Sequence, residues 1–275
     1  MVFTPYLEKQ HFDVEALPAG MVISTMSLTF AVDLVFDLDI LWNEMVLVTD
    51  GDKEGVCSIT YNGSQKPVIT TQKKVKKSFY NSVAVRIKTH GSIKPIHFKI
   101  FRNGSVQAAG CCKLDETNKA ISILVENLYR SMGAPLPASP VKNVKINLIN
   151  ATYRLDYAVN REELYNALLE EESVYCVYEK CKHAGVCIKY PIPSFPGKKP
   201  LVVCSFVFES GAIVFTGAKD TSHLVDSFDY VVNTILKKQR RRILKLDEDT
   251  LLRIAKKSPH FSQYLVPRQN KKKNK

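Results

Sequence analysis

Residues 21–33, MVISTMSLTFAVD, recur in altered form at 148–160, LINATYRLDYAVN. Aligned without a gap, seven pairs are identical or close: Val22/Ile149, Ser24/Ala151, Thr25/Thr152, Leu28/Leu155, Phe30/Tyr157, Ala31/Ala158 and Val32/Val159. A second echo follows in the same order, FRNGSVQAAG at 101–110 and FESGAIVFTG at 208–217, with the phenylalanine and both glycines shared. Two blocks repeated in order imply a duplicated unit, and hence a fold with a pseudo-twofold axis. A surface of that symmetry suits a partner that has it too, and duplex nucleic acid is one.

The chain of 275 residues can bury a sizeable core, in one large domain or two fused halves. No window approaches the roughly 18 uncharged apolar residues of a membrane span. The opening MVFTPYLEKQHFD has neither the basic nor the apolar region of a signal peptide. Seven cysteines, two of them adjacent at Cys111 and Cys112, argue against a disulfide framework and for a reducing intracellular compartment. The net charge of +12 is uneven: residues 237–275 carry fourteen Lys/Arg against three acids, which leaves the rest close to neutral. A basic end attracts polyanions in a salt-sensitive way, and serves equally as a solubilising tail.

Periodicity and turn residues set out the elements. Residues 1–20 read as an extension, and 21–132 as the first repeat. A strand at 21–29 places Met21, Ile23 and Thr25 on one face and Val22, Ser24 and Met26 on the other. A helix at 32–45 opens on Asp33 as N-cap. An insertion at about 46–79 follows, then strands at 80–89, 97–101 and 105–112, with Asn103-Gly104 as a hairpin turn. An amphipathic helix at 116–132 leads to the linker GAPLPASP at 133–140. The second repeat, 141–240, has a strand at 144–155, a helix at 160–171, strands near 173–179, 184–190, 201–208 and 212–218, and a helix at 221–240. A further helix at 246–257 and the basic tail complete residues 241–275. Helices segregated from a largely antiparallel sheet make an α+β fold.

The stretches MVISTMSLTFAVDL and, more specifically, FVFESGAIVFTGAKD (206–220) resemble the TATA-box-binding protein (TBP) family, across both repeats from about 21 to 240. The second fits the family signature at Phe208, Ser210, Gly211, Val214, Thr216, Gly217, Ala218 and Lys219; the first repeat keeps only Phe101, Gly104 and Gly110 of it. The resemblance implies a TBP-like saddle, a curved antiparallel sheet of two pseudo-symmetric repeats with helices on its convex face and an opened minor groove on its concave face. Carried over by position, the central minor-groove asparagines fall on Met21 and Leu148, with Asn150 two residues beyond the second. Ile23, Thr25 and Thr152 fill groove-facing positions. The wedge phenylalanines become Phe101 and Phe208, partnered by Tyr80 (or Phe79) and by His183. The groove-facing hairpin residues become Lys99, Gln107 and Ala109 in the first copy, and Phe206, Val214 and Thr216 in the second.

An apolar or hydroxyl-bearing sheet favours A·T pairs by excluding the guanine amino group. The implied function is therefore binding and bending of duplex DNA through its A·T-rich minor groove, as a transcription-initiation platform with relaxed TATA preference. Implied partners are transcription initiation factors or RNA polymerase, met by a monomer without cofactor or catalysis. The implied setting is the nucleus, or the cytoplasmic replication and transcription site of a large DNA virus. The alternative is a protein-interaction module that keeps the fold and has lost DNA binding. KKQRRR (237–242) is the basic patch available to DNA edges or a factor; of the acidic positions the family offers to initiation factors, Glu179 remains. Cys176, Cys181, His183 and Cys187 match no standard zinc spacing, and no nucleophile–base pair, carboxylate pair or phosphate loop is present.

Overall fold

The computed structural model describes residues 6–7, 12–48, 53–67, 81–92, 94–193 and 200–245. In chain order these form β1 (Val22–Val32), α1 (Leu38–Glu44), β2 (Gly55–Tyr61), β3 (Ser64–Lys66), β4 (Ser82–Lys88), β5 (Ile96–Phe101), β6 (Ser105–Cys111) and α2 (Leu114–Ser131). The second half supplies β7 (Val141–Arg154), α3 (Arg161–Leu169), β8 (Tyr175–Val177), β9 (Val186–Pro191), β10 (Val202–Val207), β11 (Ala212–Ala218) and α4 (Thr221–Phe228). A π-helical stretch (Asp229–Leu236) joins α4 to α5 (Lys237–Ile243) without a break. The expected helix at 246–257 and the basic tail lie outside the described residues. All eleven strands share one antiparallel sheet, ordered β3-β2-β4-β5-β6-β1-β7-β11-β10-β9-β8. Apart from β3, the elements run outward from the β1–β7 pair in the same order on either side.

Strand alternation gives the sheet one buried and one open face. Leu28, Phe98, Ile100, Val106, Ile149, Val203 and Phe215 point to the buried face and are almost inaccessible to solvent. The helices cover it, α2 over β2, β4 and β6, and α4 over β10 and β11. Phe228 of α4 meets Phe215 at 6.3 Å between ring centroids and Tyr153 edge-on at 4.8 Å. Residues before β1 pack on the same side. Leu7 and Phe12 are buried, the Leu7 amide donates to Asn118 Oδ1 in α2 (3.0 Å), and the Asp13 amide donates to Thr221 Oγ1 at the start of α4 (3.1 Å).

The first helix starts later than its sequence suggests. β1 continues to Val32, and the chain then crosses the β5–β6 turn, with the Val32 amide donating to Gly104 O and the Phe36 amide to Arg102 O, both at 2.9 Å. Asp37, not Asp33, caps α1 by accepting from the amides of Asp39 and Ile40, and Asp33 pairs instead with Lys142 at 2.6 Å. The second copy repeats this path: the Leu155 amide donates to Gly211 O and the Val159 amide to Glu209 O, both at 2.9 Å, before Asn160 caps α3.

These contacts correspond at one constant spacing. Val32 corresponds to Leu155, Phe36 to Val159 and Asp37 to Asn160, each 123 residues on. The central pairing agrees: Met26 pairs with Ile149, flanked by Thr25 with Asn150 and Ser27 with Leu148. The gap-free alignment of the two sequences, which sets Asp33 against Asn160, is slipped by four residues in this block. The hairpin block is in register as read, with Gly104 answering to Gly211 and Gly110 to Gly217, all at positive φ.

Candidate nucleic-acid interface

The open face is composed unlike the rest of the molecule. None of the eleven described strands contains an aspartate or glutamate, while they hold eight lysines and arginines: Arg86, Lys88, Lys99, Lys142, Lys145, Arg154 and Lys189, and Lys66, which turns to the helical side and donates to Trp42 O at 3.0 Å. The body is near neutral overall because the acids sit on helices and loops. There they meet the basic run at the end of the second repeat. Lys238 pairs with Glu171, Arg240 with Asp156, and Arg242 with Glu163 and with both oxygens of Glu170. Hydrogen bonds from these partners hold the Glu170 and Glu171 carboxyls below the usual carboxylate range. The KKQRRR patch is thus largely engaged within the helical layer, and Glu179 is engaged by Lys182 at 2.5 Å. Surface pairs of this kind tie α5 to α3 weakly, but they leave the strands as the part of the body where cations outnumber acids.

Register places the expected site residues. Phe206, Val214, Thr216, Thr25, Asn150 and Thr152 all lie on the open face, partly accessible, on adjoining strands. Phe206 is opposite Val214, which is opposite Thr152, which is opposite Val22. His183 stacks on Phe206, ring centroids 4.6 Å apart and 24° between planes. Phe208 follows directly, its ring so close to Gly185 that an added Cβ there would lie 3.2 Å from Phe208 Cε1. His183 and Phe206 therefore form a stacked pair at the outer part of the second half, with Phe208 brought near it across Gly185. In the first half Phe101 ends β5 opposite Ser82, half-buried. Tyr80, like Phe79, lies outside the described residues.

Ile23 is not on this face. It is 7% exposed, pairs with Ala151 in the core, and joins Met21, also 7% exposed, under the helices. The cause is an irregularity between Ile23 and Thr25, where Ser24 and Thr25 both turn to the open side. One extra residue in a strand flips every side chain on one side of it. Strict alternation, which put Met21 and Ile23 with Thr25, fails at that residue. With Met21 buried and the copies offset by 123, the counterpart of Leu148 is Thr25, and that of Asn150 is Ser27. The centre of the face is then Thr25, Ser27, Leu148 and Asn150, with Asn150 Oδ1 buried and lacking a partner.

Strand patterning alone did not reveal Val22, Ser27, Arg86, Lys145, Arg154 and Lys189 as open-face residues. The signal for the cations was present in the strands' missing acids, and becomes visible only when strand limits are known. His97, opposite Arg86, is held below the ordinary histidine range by partial desolvation of its ring and by that guanidinium, so it adds little charge near neutrality. All seven cysteines are free thiols. Burial pushes Cys111 and Cys187 up to about 12, which removes thiolate character and with it nucleophilic chemistry. Among the described residues no group of histidines, cysteines and carboxylates is arranged to hold a metal, and no helix is long and apolar enough to cross a membrane.

Comparisons with known proteins give a likeness in sequence and in fold. Residues 143–238 match the family model for transcription factor TFIID (or TATA-binding protein, TBP). The "TATA-box-binding protein-like" protein of Acanthamoeba polyphaga mimivirus is 27% identical over 279 residues, spanning 89% of this chain and 73% of that one. The solved structure of Methanococcus jannaschii TBP superposes with a TM-score of 0.52 at 20% identity, covering 79% of this chain and 98% of that chain.

Proposed function

We propose that this chain, a divergent TBP-like protein in sequence and fold, binds duplex DNA on the open face of its sheet. In this reading the face is the concave side of a saddle, set in an opened minor groove, and the two halves are related by a pseudo-twofold axis through the Met26–Ile149 pair. The observation that carries it is the eleven-stranded face without a single acid, bearing a stacked aromatic pair at its outer part. Lysine and arginine on such a face neutralise phosphates and release counterions. Phe208, with Phe206 and His183 behind it, acts as a wedge that stacks on an opened base step and bends the duplex. Wedging of this kind is the TBP family's own mode of minor-groove binding, so the bend is taken from the likeness to that family.

The bent complex serves as a platform for initiation factors or RNA polymerase, at an intracellular transcription site, without catalysis. Sequence preference is relaxed, because Thr25 and Leu148 supply little polar readout at the centre. Gel shift and end-to-end energy transfer on A·T-rich and G·C-rich duplexes test the proposal. Phe208→Ala and Phe101→Ala should lower the bend and weaken binding about tenfold or more, as loss of base–aromatic stacking does elsewhere. Unchanged bending in both variants refutes the wedge assignment. The cationic first half also suits an acidic protein segment, and a chain that binds no duplex near physiological salt but captures such a partner would favour the interaction-module reading.

A further inference from the structure

We infer that the two halves of the open face read different base composition, the second half rejecting G·C pairs and the first accepting them through Gln107. The inference deepens the minor-groove reading above and rests on it. One row of side chains crosses the sheet in each half, and the register makes the rows strict counterparts. In the second half Val22 pairs with Thr152, Thr152 with Val214 and Val214 with Phe206; in the first, Lys145 pairs with Thr29, Thr29 with Gln107 and Gln107 with Lys99. Val22 thus answers to Lys145, Val214 to Gln107 and Phe206 to Lys99. The same place in the fold is apolar on one side and polar and cationic on the other.

The chemistry of the minor groove separates these rows. Every base pair presents acceptors there, and only G·C adds an amino donor, from guanine. Against Val214, Phe206 and Val22 that amino group loses its water and gains no acceptor, which disfavours G·C by roughly tenfold. Against the first half it meets the exposed Gln107 amide, whose oxygen accepts from it. Lys99 and Lys145 are exposed on either flank of Gln107. Their ammonium groups donate to acceptors that all pairs carry, so they add salt-sensitive affinity without discriminating. Gln107 is the residue that discriminates, and its counterpart Val214 is the one that excludes.

Fluorescence anisotropy of the full chain with three duplexes tests this: one all A·T across the site, one with two G·C pairs in a single half, and one with G·C pairs in both halves. The protein is free to choose its orientation, so the hybrid duplex should bind within about threefold of the all-A·T duplex, and the doubly substituted one about tenfold weaker or more. Gln107→Val should weaken the hybrid about tenfold more than it weakens the all-A·T duplex. Val214→Gln should raise the doubly substituted duplex, a gain that a folding defect does not produce. Wild-type protein that binds the hybrid as weakly as the doubly substituted duplex, while holding all-A·T DNA, overturns the asymmetry and leaves minor-groove binding standing. An unchanged hybrid preference in Gln107→Val overturns the assignment to Gln107. Failure to bind any duplex overturns both readings.

Discussion

Replacing Gly211 with alanine should destabilise the protein far more than the loss of an ordinary turn glycine. Gly211 has φ +80, and a Cβ there would stand 2.3 Å from the carbonyl oxygen of Tyr157 and 3.3 Å from that of Leu155. Both belong to the crossing segment between β7 and α3, whose Leu155 amide is bonded to Gly211 O at 2.9 Å. An alanine there carries the left-handed backbone cost of about 1–2 kcal/mol. The crossing must then move by about 1 Å, and the loss of the Leu155 hydrogen bond adds about 1 kcal/mol. The total is about 2–3 kcal/mol, or roughly 4–12 °C in Tm for a chain of this size. Gly133 is the control: φ is +63, with nothing within 4 Å of the added Cβ, so only the backbone cost of about 1 kcal/mol applies. Urea denaturation followed by circular dichroism compares them. Gly104→Ala should match Gly211→Ala, since its Cβ would meet Val32 O at 2.4 Å and Leu34 O at 2.7 Å. Equal losses in Gly211→Ala and Gly133→Ala would refute the argument that the crossing chain, and not the turn alone, demands glycine.

Other outcomes follow from the two faces of the sheet. Phe215 is 0% exposed beneath α4, so Phe215→Ala should cost about 3–5 kcal/mol, whereas Phe206→Ala, on the open face, should cost little stability and weaken DNA binding; the two measured side by side check the face assignment. Arg86→Ala should weaken binding to all duplexes alike and lower the slope of log affinity against log salt by about one; a sequence-dependent loss would contradict a phosphate contact. Cys111, pushed up from 9.0 to about 12 by burial, keeps its proton in the folded state longer than in the unfolded one. Stability should therefore fall as pH rises from about 9 towards 12, and Cys111→Ala should show a shallower fall in alkaline urea titrations.

How much of this was legible in the sequence differs from place to place. The hairpin block carried its own marks: Asn103-Gly104 and Ser210-Gly211 are turns that the backbone demands, and every strand from β4 to β6 and β9 to β11 falls within a few residues of its expected limits. The helix starts were less legible. Asp33 and Asp37 are both good caps, and only the crossing over the Gly104 turn, which holds Val32 through Phe36 in place, decides for Asp37. Gap-free likeness also misled, because Ala-Val-Asp and Ala-Val-Asn match as letters while the structure sets them four residues apart. Ile23 failed for a related reason: a single irregular residue is silent in sequence, yet reverses which side of it is buried. The basic run at 237–242 looked available as a string of letters and is engaged by carboxylates that lie up to 84 positions away, as Asp156 does for Arg240.

The order of strands and helices, and the aromatic and glycine positions of the second hairpin, are written in the letters of the chain. They depend on local periodicity and on backbone angles that few residues accept. The face each side chain takes is not written there. Pairing across the sheet sets Lys145, Gln107 and Lys99 against Val22, Val214 and Phe206, and packing of helices on one side leaves the acid-free side open. Those outcomes rest on register and on contacts between distant segments, where a shift of one residue exchanges the inside for the outside.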